Sequence, residues 1–160
     1  METNSSGYTG PHQFERKKWI SCAPFERLLQ MNIVRVDEGQ AVLTMPFSAE
    51  LAQGAGLMHG GALVSLADTA VVMAIKSIVE PHTHFATISL ESTFLYPVRK
   101  GIVTAHAEVK AAENRLISGR ATLYNDDQKE ILHFISTFKV AEKTIIKGAA
   151  CTDIPDSTKM

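Results

Sequence analysis

Asp68 is a lone carboxylate in an apolar stretch, and chemistry is most readily sought there. Between Glu50 and Lys76 it is the only acidic or basic side chain, His59 aside. An ionised carboxylate in such surroundings must be paired, hydrogen-bonded, shifted in pKa or open to a cavity. It then serves as a base or nucleophile, or it is a structural group bonded to nearby backbone or to another subunit; the pattern alone leaves both readings open. The same stretch begins with His59-Gly60-Gly61. Two glycines offer no side chain to obstruct a ligand, and the unpaired N–H groups of a helix start point outward with the positive end of the dipole behind them. Such a turn can hold negative charge developing on an oxygen, although close packing or a tight turn accounts for glycines equally well. His59 alone reads as a turn residue that orients the glycines or touches a bound carbonyl.

These groups need an element to carry them. Residues 53–81, QGAGLMHGGALVSLADTAVVMAIKSIVEP, read as one long helix entered through a glycine-rich turn. Leu63, Leu66, Ala67, Ala70 and Ala74 share one stripe, while Val64, Val71, Val72 and Ile75 continue around the cylinder, the pattern of a buried helix. From residue 60 to 79 it would run about 30 Å, enough to raise the question of a membrane span. The uninterrupted apolar run is short, and a central Asp costs roughly 2.5–3.5 kcal/mol to insert, so a core helix is expected and no membrane partner.

The remaining elements follow in order. Pro24 suits a first helical turn, with Phe25, Leu28 and Leu29 at helical spacing, and this helix is expected to cover one end of a sheet; a short helix is also possible around residues 14–20. Residues 31–36 and 40–45 are β-rich around Asp37-Glu38-Gly39, a hairpin. A strand is expected from about Phe85 to Leu95, then three more with period-two alternation: Val103, Ala105, Ala107 and Val109; Ala121 and Leu123; Leu132, Phe134, Phe138 and Val140. The turns at 97–101, 113–114 and 125–128 are short enough for antiparallel meander connections. One buried helix plus about six antiparallel strands gives an α+β domain whose sheet must curl around the helix, the hotdog geometry.

Composition narrows the function classes. A chain of 160 residues fits one domain, expected over 14–140, between a mobile N-terminal segment at 1–13 and a polar tail at 141–160. Sixteen basic and seventeen acidic residues leave a net charge of −1, so nucleic acid is not an expected partner. The N-terminus lacks an export or transit pattern, which predicts a cytoplasmic protein. Cys22 and Cys151 lie far apart and are expected to be free thiols. His82 and His84 have no third ligand at a recognisable spacing, so they are taken as loop histidines and no metal is expected. Ser65 and Ser89 lack a nucleophile elbow, and neither a dinucleotide fingerprint nor a Walker loop is present; cofactor-free chemistry fits best.

His59-Gly60-Gly61 followed by Leu66-Ala67-Asp68-Thr69-Ala70 resembles the HGG…LADTA signature of the phenylacetyl-CoA (PaaI-like) hotdog thioesterases, a likeness extending over roughly residues 24–140. It implies an acyl-CoA substrate, with the backbone N–H of Gly60 polarising the thioester carbonyl and Asp68, nine positions after His59, acting as general base or nucleophile. Gln53 resembles the amide, commonly Asn, that orients the water or substrate. Thr87 aligns with a strand Ser or Thr that holds the water. Gly61 is expected beside the bound substrate, and Arg99, Lys100 and Arg120 are candidates for the CoA phosphates. The resemblance also implies a homodimer or a dimer-based homotetramer that places Gln53 and Gly60 opposite Asp68 of the other copy. A hotdog hydratase or dehydratase and a noncatalytic acyl-CoA binder remain as alternatives, since related folds include both.

Overall fold

The computed structural model describes residues 18–111 and 113–141. The expectations for residues 1–13 and for Cys151, most of the tail and residues 14–17 of the possible helix at 14–20 lie outside them, and residues 18–20 form a bend. The elements are α1 (Pro24–Leu28), β1 (Asn32–Asp37), β2 (Gln40–Pro46), a 3-10 turn (Ala49–Leu51), α2 (Gly60–Lys76), β3 (Phe85–Phe94), β4 (Ile102–Ala111), β5 (Leu116–Tyr124) and β6 (Glu130–Val140). All six strands form one antiparallel sheet in the order β1-β2-β4-β5-β6-β3. It curls around α2 as a hotdog fold.

The alternation read from the sequence sets the inward face. Leu43 and Met45 of β2, Val103 and Ala105 of β4, Ile117 and Leu123 of β5, and Phe134 and Phe138 of β6 are all buried against α2. Each fully buried large aliphatic or aromatic side chain contributes about 1.5–3 kcal/mol, so this shared interior is the main favourable term. The β1–β2 turn places Glu38 and Gly39 both at positive φ, as a two-residue hairpin turn of primed type requires. The Gly39 N–H donates to Ser77 Oγ at 2.7 Å, tying that turn to the C-terminal end of α2.

Three features differ from the sequence expectation. The connection at 97–101 is not a hairpin: β3 pairs with β6 at the sheet edge, and the chain passes over the β5–β6 turn to reach β4 in the middle. Strand order is a long-range property, which a short loop does not encode. Second, α1 is a five-residue helix that buries none of its residues; Leu29 and Met31, just after it, supply the cover. Third, α2 ends at Lys76, where Ser77 caps the helix, and the sheet leaves one of its stripes partly open. Gly60, Val64, Asp68 and Val72, spaced by four, are only half-buried, whereas Leu63, Leu66, Ala67, Ala70 and Ala74 are fully covered.

Helix and sheet approach closely at Gly119 of β5. A Cβ there would lie 2.2 Å from Val71 Cγ1 and 3.3 Å from Ser136 Oγ. Gly119→Ala is therefore expected to cost roughly 1–3 kcal/mol through overpacking, read as a lower urea midpoint. Ser136 faces the same spot with its hydroxyl buried and without a hydrogen-bond partner. Ser136→Ala is expected to move the midpoint the other way, by about 1 kcal/mol, because it removes an unpaired buried donor.

Candidate active site

The segment before α2 is folded back on itself. Gln53 N donates to Leu57 O, Gly56 N to Gln53 O, and His59 N to Leu51 O, at 2.7–2.8 Å, with Gly56 at φ +78° making the turn. Met58 N donates to Val98 O at 2.8 Å and thereby fastens this loop to the one after β3. The side chain of Gln53 takes part as well: its Oε1 accepts from the Ala55 N–H, which leaves the NH2 end of the amide for other partners.

His59 is the N-cap of α2. Its Nδ1 accepts from the Gly61 N–H at 2.8 Å, so the ring orients the glycine turn and carries its proton on Nε2. The Gly61 donor is thus engaged. Gly60, the first helical residue, has no intrahelical acceptor, and its N–H remains the open donor at the positive end of the dipole. The ring of Phe94 rests against it, 3.1 Å from where a Gly60 Cβ would be, so a side chain at 60 would press on that ring and require it to shift. Beside this donor is an open pocket of about 320 Å³ whose wall includes Gln53, Leu57, Gly60, Leu63, Phe94 and Tyr96.

Asp68 lies two turns further along the open stripe of α2. Thr87 Oγ1 of β3 donates to its carboxylate, 3.2 Å from Oδ1 and 3.4 Å from Oδ2. Burial pushes the Asp68 carboxyl above its ordinary range, and the Thr87 hydrogen bond partly opposes the shift. A bulge in β3 between Thr87 and Ser89 allows this contact. Before it, Phe85 and Thr87 face inward opposite Val140 and Phe138; after it, Leu90, Ser92 and Phe94 take the inward face opposite Ser136, Phe134 and Leu132. Gly60 and Asp68 are eight residues apart on one helix, about 12 Å along its axis. Asp68 and Thr87 do not line the Gly60 pocket. Within one chain the candidate residues therefore fall into two groups, Gln53, His59 and Gly60 at one end and Asp68 and Thr87 at the other.

The cationic candidates separate. Arg99 and Lys100 are exposed on the loop that follows Tyr96 and Pro97 of the pocket rim. Arg120 projects from the outer face of β5 and is ion-paired with Glu108 of β4, on the opposite side of the sheet from α2. His82 and His84 are exposed in the turn before β3, the His82 ring packed near Trp19. Among the described residues no three His, Cys, Asp or Glu side chains converge as metal ligands, and no helix is long and apolar enough to cross a membrane. Cys22 is a free thiol whose pKa burial raises. The residues missed by reasoning on charge and motif are the apolar walls Leu57, Leu63, Phe94 and Tyr96. The available signal was the run Phe94-Leu95-Tyr96 placed at a strand end, where solvent-facing side chains are the rule.

Comparison with known proteins bears on the family and the fold. The thioesterase superfamily family model matches residues 55–132, which include the glycine turn, α2 and β3. The acyl-coenzyme A thioesterase PaaI of Escherichia coli is 33% identical over 117 residues, covering 71% of this chain and 78% of that protein. The putative esterase ComA2 of Bacillus subtilis is 30% identical over 117 residues, covering 72% and 92%. The solved structure of the E. coli PaaI protein superposes with a TM-score of 0.68 at 27% identity, over 74% of this chain and 85% of that one. With the glycine turn, α2 and β3 in the region the family model matches and a relative 33% identical over most of both chains, the chain belongs to the thioesterase superfamily, as a hotdog-fold thioester hydrolase of the PaaI type.

Proposed function

We propose that this protein hydrolyses acyl-CoA thioesters to a free acid and CoA at a site completed by a second copy of the chain. The observation that carries the reading is the half-buried Asp68, held by Thr87 on the same open stripe of α2 that begins with the Gly60 N–H. The carbonyl oxygen accepts from Gly60, and the free NH2 of Gln53 is a second donor beside it, since Oε1 is engaged by Ala55. These donors gain strength as charge moves onto the oxygen in the transition state. Asp68 then removes a proton from the water that attacks the carbonyl carbon, or attacks that carbon itself to give a mixed anhydride that water cleaves; in either branch the C–S bond breaks and CoA leaves as its thiolate and takes up a proton, while Thr87 fixes the orientation of the carboxylate. A raised pKa keeps the carboxylate basic enough for either role. A dehydratase would ask His59 to exchange protons, yet its Nδ1 is engaged in capping Gly61, which counts against that alternative.

Two copies are invoked because about 12 Å between Gly60 and Asp68 is too far for one carbonyl to meet both. Support comes from β3, a sheet edge with Ile88 58%, Leu90 49% and Phe94 54% exposed. An apolar edge of this kind is normally covered by pairing. Edge-to-edge pairing would bring Gln53 and Gly60 against Asp68 and Thr87 of the partner subunit, and a tetramer would pair two such dimers. An acyl-CoA substrate suits the cytoplasmic setting expected from the sequence.

Asp68→Asn is expected to lower kcat by about 10²–10⁴-fold, measured by release of free CoA thiol, with acyl-CoA still bound. Native-rate turnover in a folded Asn variant would remove Asp68 from the chemistry. The stability effect has a defined sign. Because the folded pKa is raised, the ionised carboxylate weakens folding; that penalty is absent below the unfolded pKa and complete once pH exceeds the folded one. Hence the Asn variant should melt at or above the wild-type temperature at pH 7, its advantage fading on acidification. Thr87→Val, which removes the hydrogen bond that lowers the Asp68 pKa, should move the acid limb of kcat/KM to higher pH.

Gln53→Ala combined with Asp68→Asn separates two roles for the amide. Multiplicative loss of kcat is expected if Gln53 serves the carbonyl, and a double variant no worse than Asp68→Asn would instead assign Gln53 to the same water as Asp68. At the edge, Leu90→Lys is expected to give a folded monomer by light scattering with activity largely lost. Full activity from a monomer would exclude the shared site.

A further inference from the structure

The β5–β6 turn braces the pocket rim at two points. The Asp126 carboxylate accepts from the Ile102 N–H at 3.1 and 3.2 Å and fills the space left open at Gly101, whose φ is +79°. Three residues on, the Lys129 ammonium lies 3.2 Å from the centroid of the Tyr96 ring. Tyr96 lines the Gly60 pocket, and Arg99 and Lys100 occupy the short loop between these two contacts. Three cations thereby lie on or against the segment that forms the pocket rim, Lys129 over Tyr96 and Arg99 and Lys100 directly after Val98. The nearby carboxylates Asp126, Asp127 and Glu130 keep their charge, but Asp126 is turned to the Ile102 N–H and Glu130 to His133 and Tyr124, so neither is ion-paired with these cations. Arg120, by contrast, is neutralised by Glu108 on the outer sheet face.

We infer that Lys129, held over Tyr96, joins Arg99 and Lys100 in binding the phosphorylated end of the coenzyme, with the pocket receiving the arm that leads to the thioester. The assignment rests on the acyl-CoA reading above. An ammonium over an aromatic face keeps its N–H groups for phosphate oxygens, and the ring limits its wandering. The brace through Asp126 keeps the Arg99–Lys100 loop near it without a ligand, so less ordering is required on binding.

The test compares kcat/KM for an acyl-CoA with that for the same acyl group on N-acetylcysteamine, which carries no phosphate. Lys129→Glu is expected to lower this ratio roughly five- to tenfold, as for loss and reversal of an exposed ion pair. Lys129→Gln should lower it less, in the same direction. Lys110→Glu, a charge reversal eight residues along β4 from Ile102, should leave it at the wild-type value. An unmoved ratio in Lys129→Glu overturns the assignment. Calorimetric titration of free CoA into each protein is the second readout, expected to show weaker binding in Lys129→Glu and less dependence on salt. Should the wild type hydrolyse neither thioester, the hydrolase reading fails, and the calorimetry still judges Lys129: equal CoA affinity in wild type and Lys129→Glu overturns its role.

Discussion

One twisted six-stranded sheet can cover only part of the circumference of a helix, and much of this structure follows from that limit. The inward faces of β2, β4, β5 and β6 enclose α2 on the sides carrying Leu63, Leu66, Ala70 and Ala74. The stripe of Gly60, Val64, Asp68 and Val72 is left half-covered. A carboxylate in the closed part of the interior would have faced the full cost of desolvation without a role. On the open stripe it keeps one hydrogen-bond partner, Thr87, and enough burial to raise its pKa. Packing deficit and chemical opportunity coincide on one line of the helix.

What the sequence made legible was local in origin. The glycine turn announces a helix start, an isolated Asp in apolar surroundings announces a group needing an explanation, and period-two alternation gives the inward face of β4, β5 and β6. Thr87 was reached through the family signature, and its contact with Asp68 gives the placement a physical basis. What stayed hidden was non-local. The neighbour of β3 is β6, a pairing that the short loop to β4 does not suggest. Charge alone put Arg120 with Arg99 and Lys100, because a one-dimensional reading cannot see that Glu108 faces it across the β4–β5 pair.

Two side chains illustrate how a role depends on which end of a polar group is free. Gln53 and His59 are both bifunctional, and either could donate or accept. Folding resolves each of them by a backbone N–H close in sequence: Ala55 takes the Gln53 oxygen, Gly61 takes the His59 Nδ1. Both are left as outward donors. The Gln53 amide and the Gly60 N–H thus bring donors to a pocket whose other walls are apolar, and the acceptor Asp68 lies elsewhere on the helix.

The bulge at Ile88 separates two functions along a single strand. Thr87 lies on its N-terminal side and meets Asp68; Leu90, Ser92 and Phe94 lie beyond it and take the inward face. In evolutionary terms the strand is modular. Closing the bulge with every residue retained would exchange Leu90, Ser92 and Phe94 with Ser89, Glu91 and Thr93, turning the face that meets Gly60 from apolar to acidic and polar while leaving Thr87 in place; deleting Ile88 itself would leave both faces as they are. Substitutions that gain or lose the bulge can therefore remodel the end of this strand that meets Gly60 without disturbing the Thr87–Asp68 contact at the other.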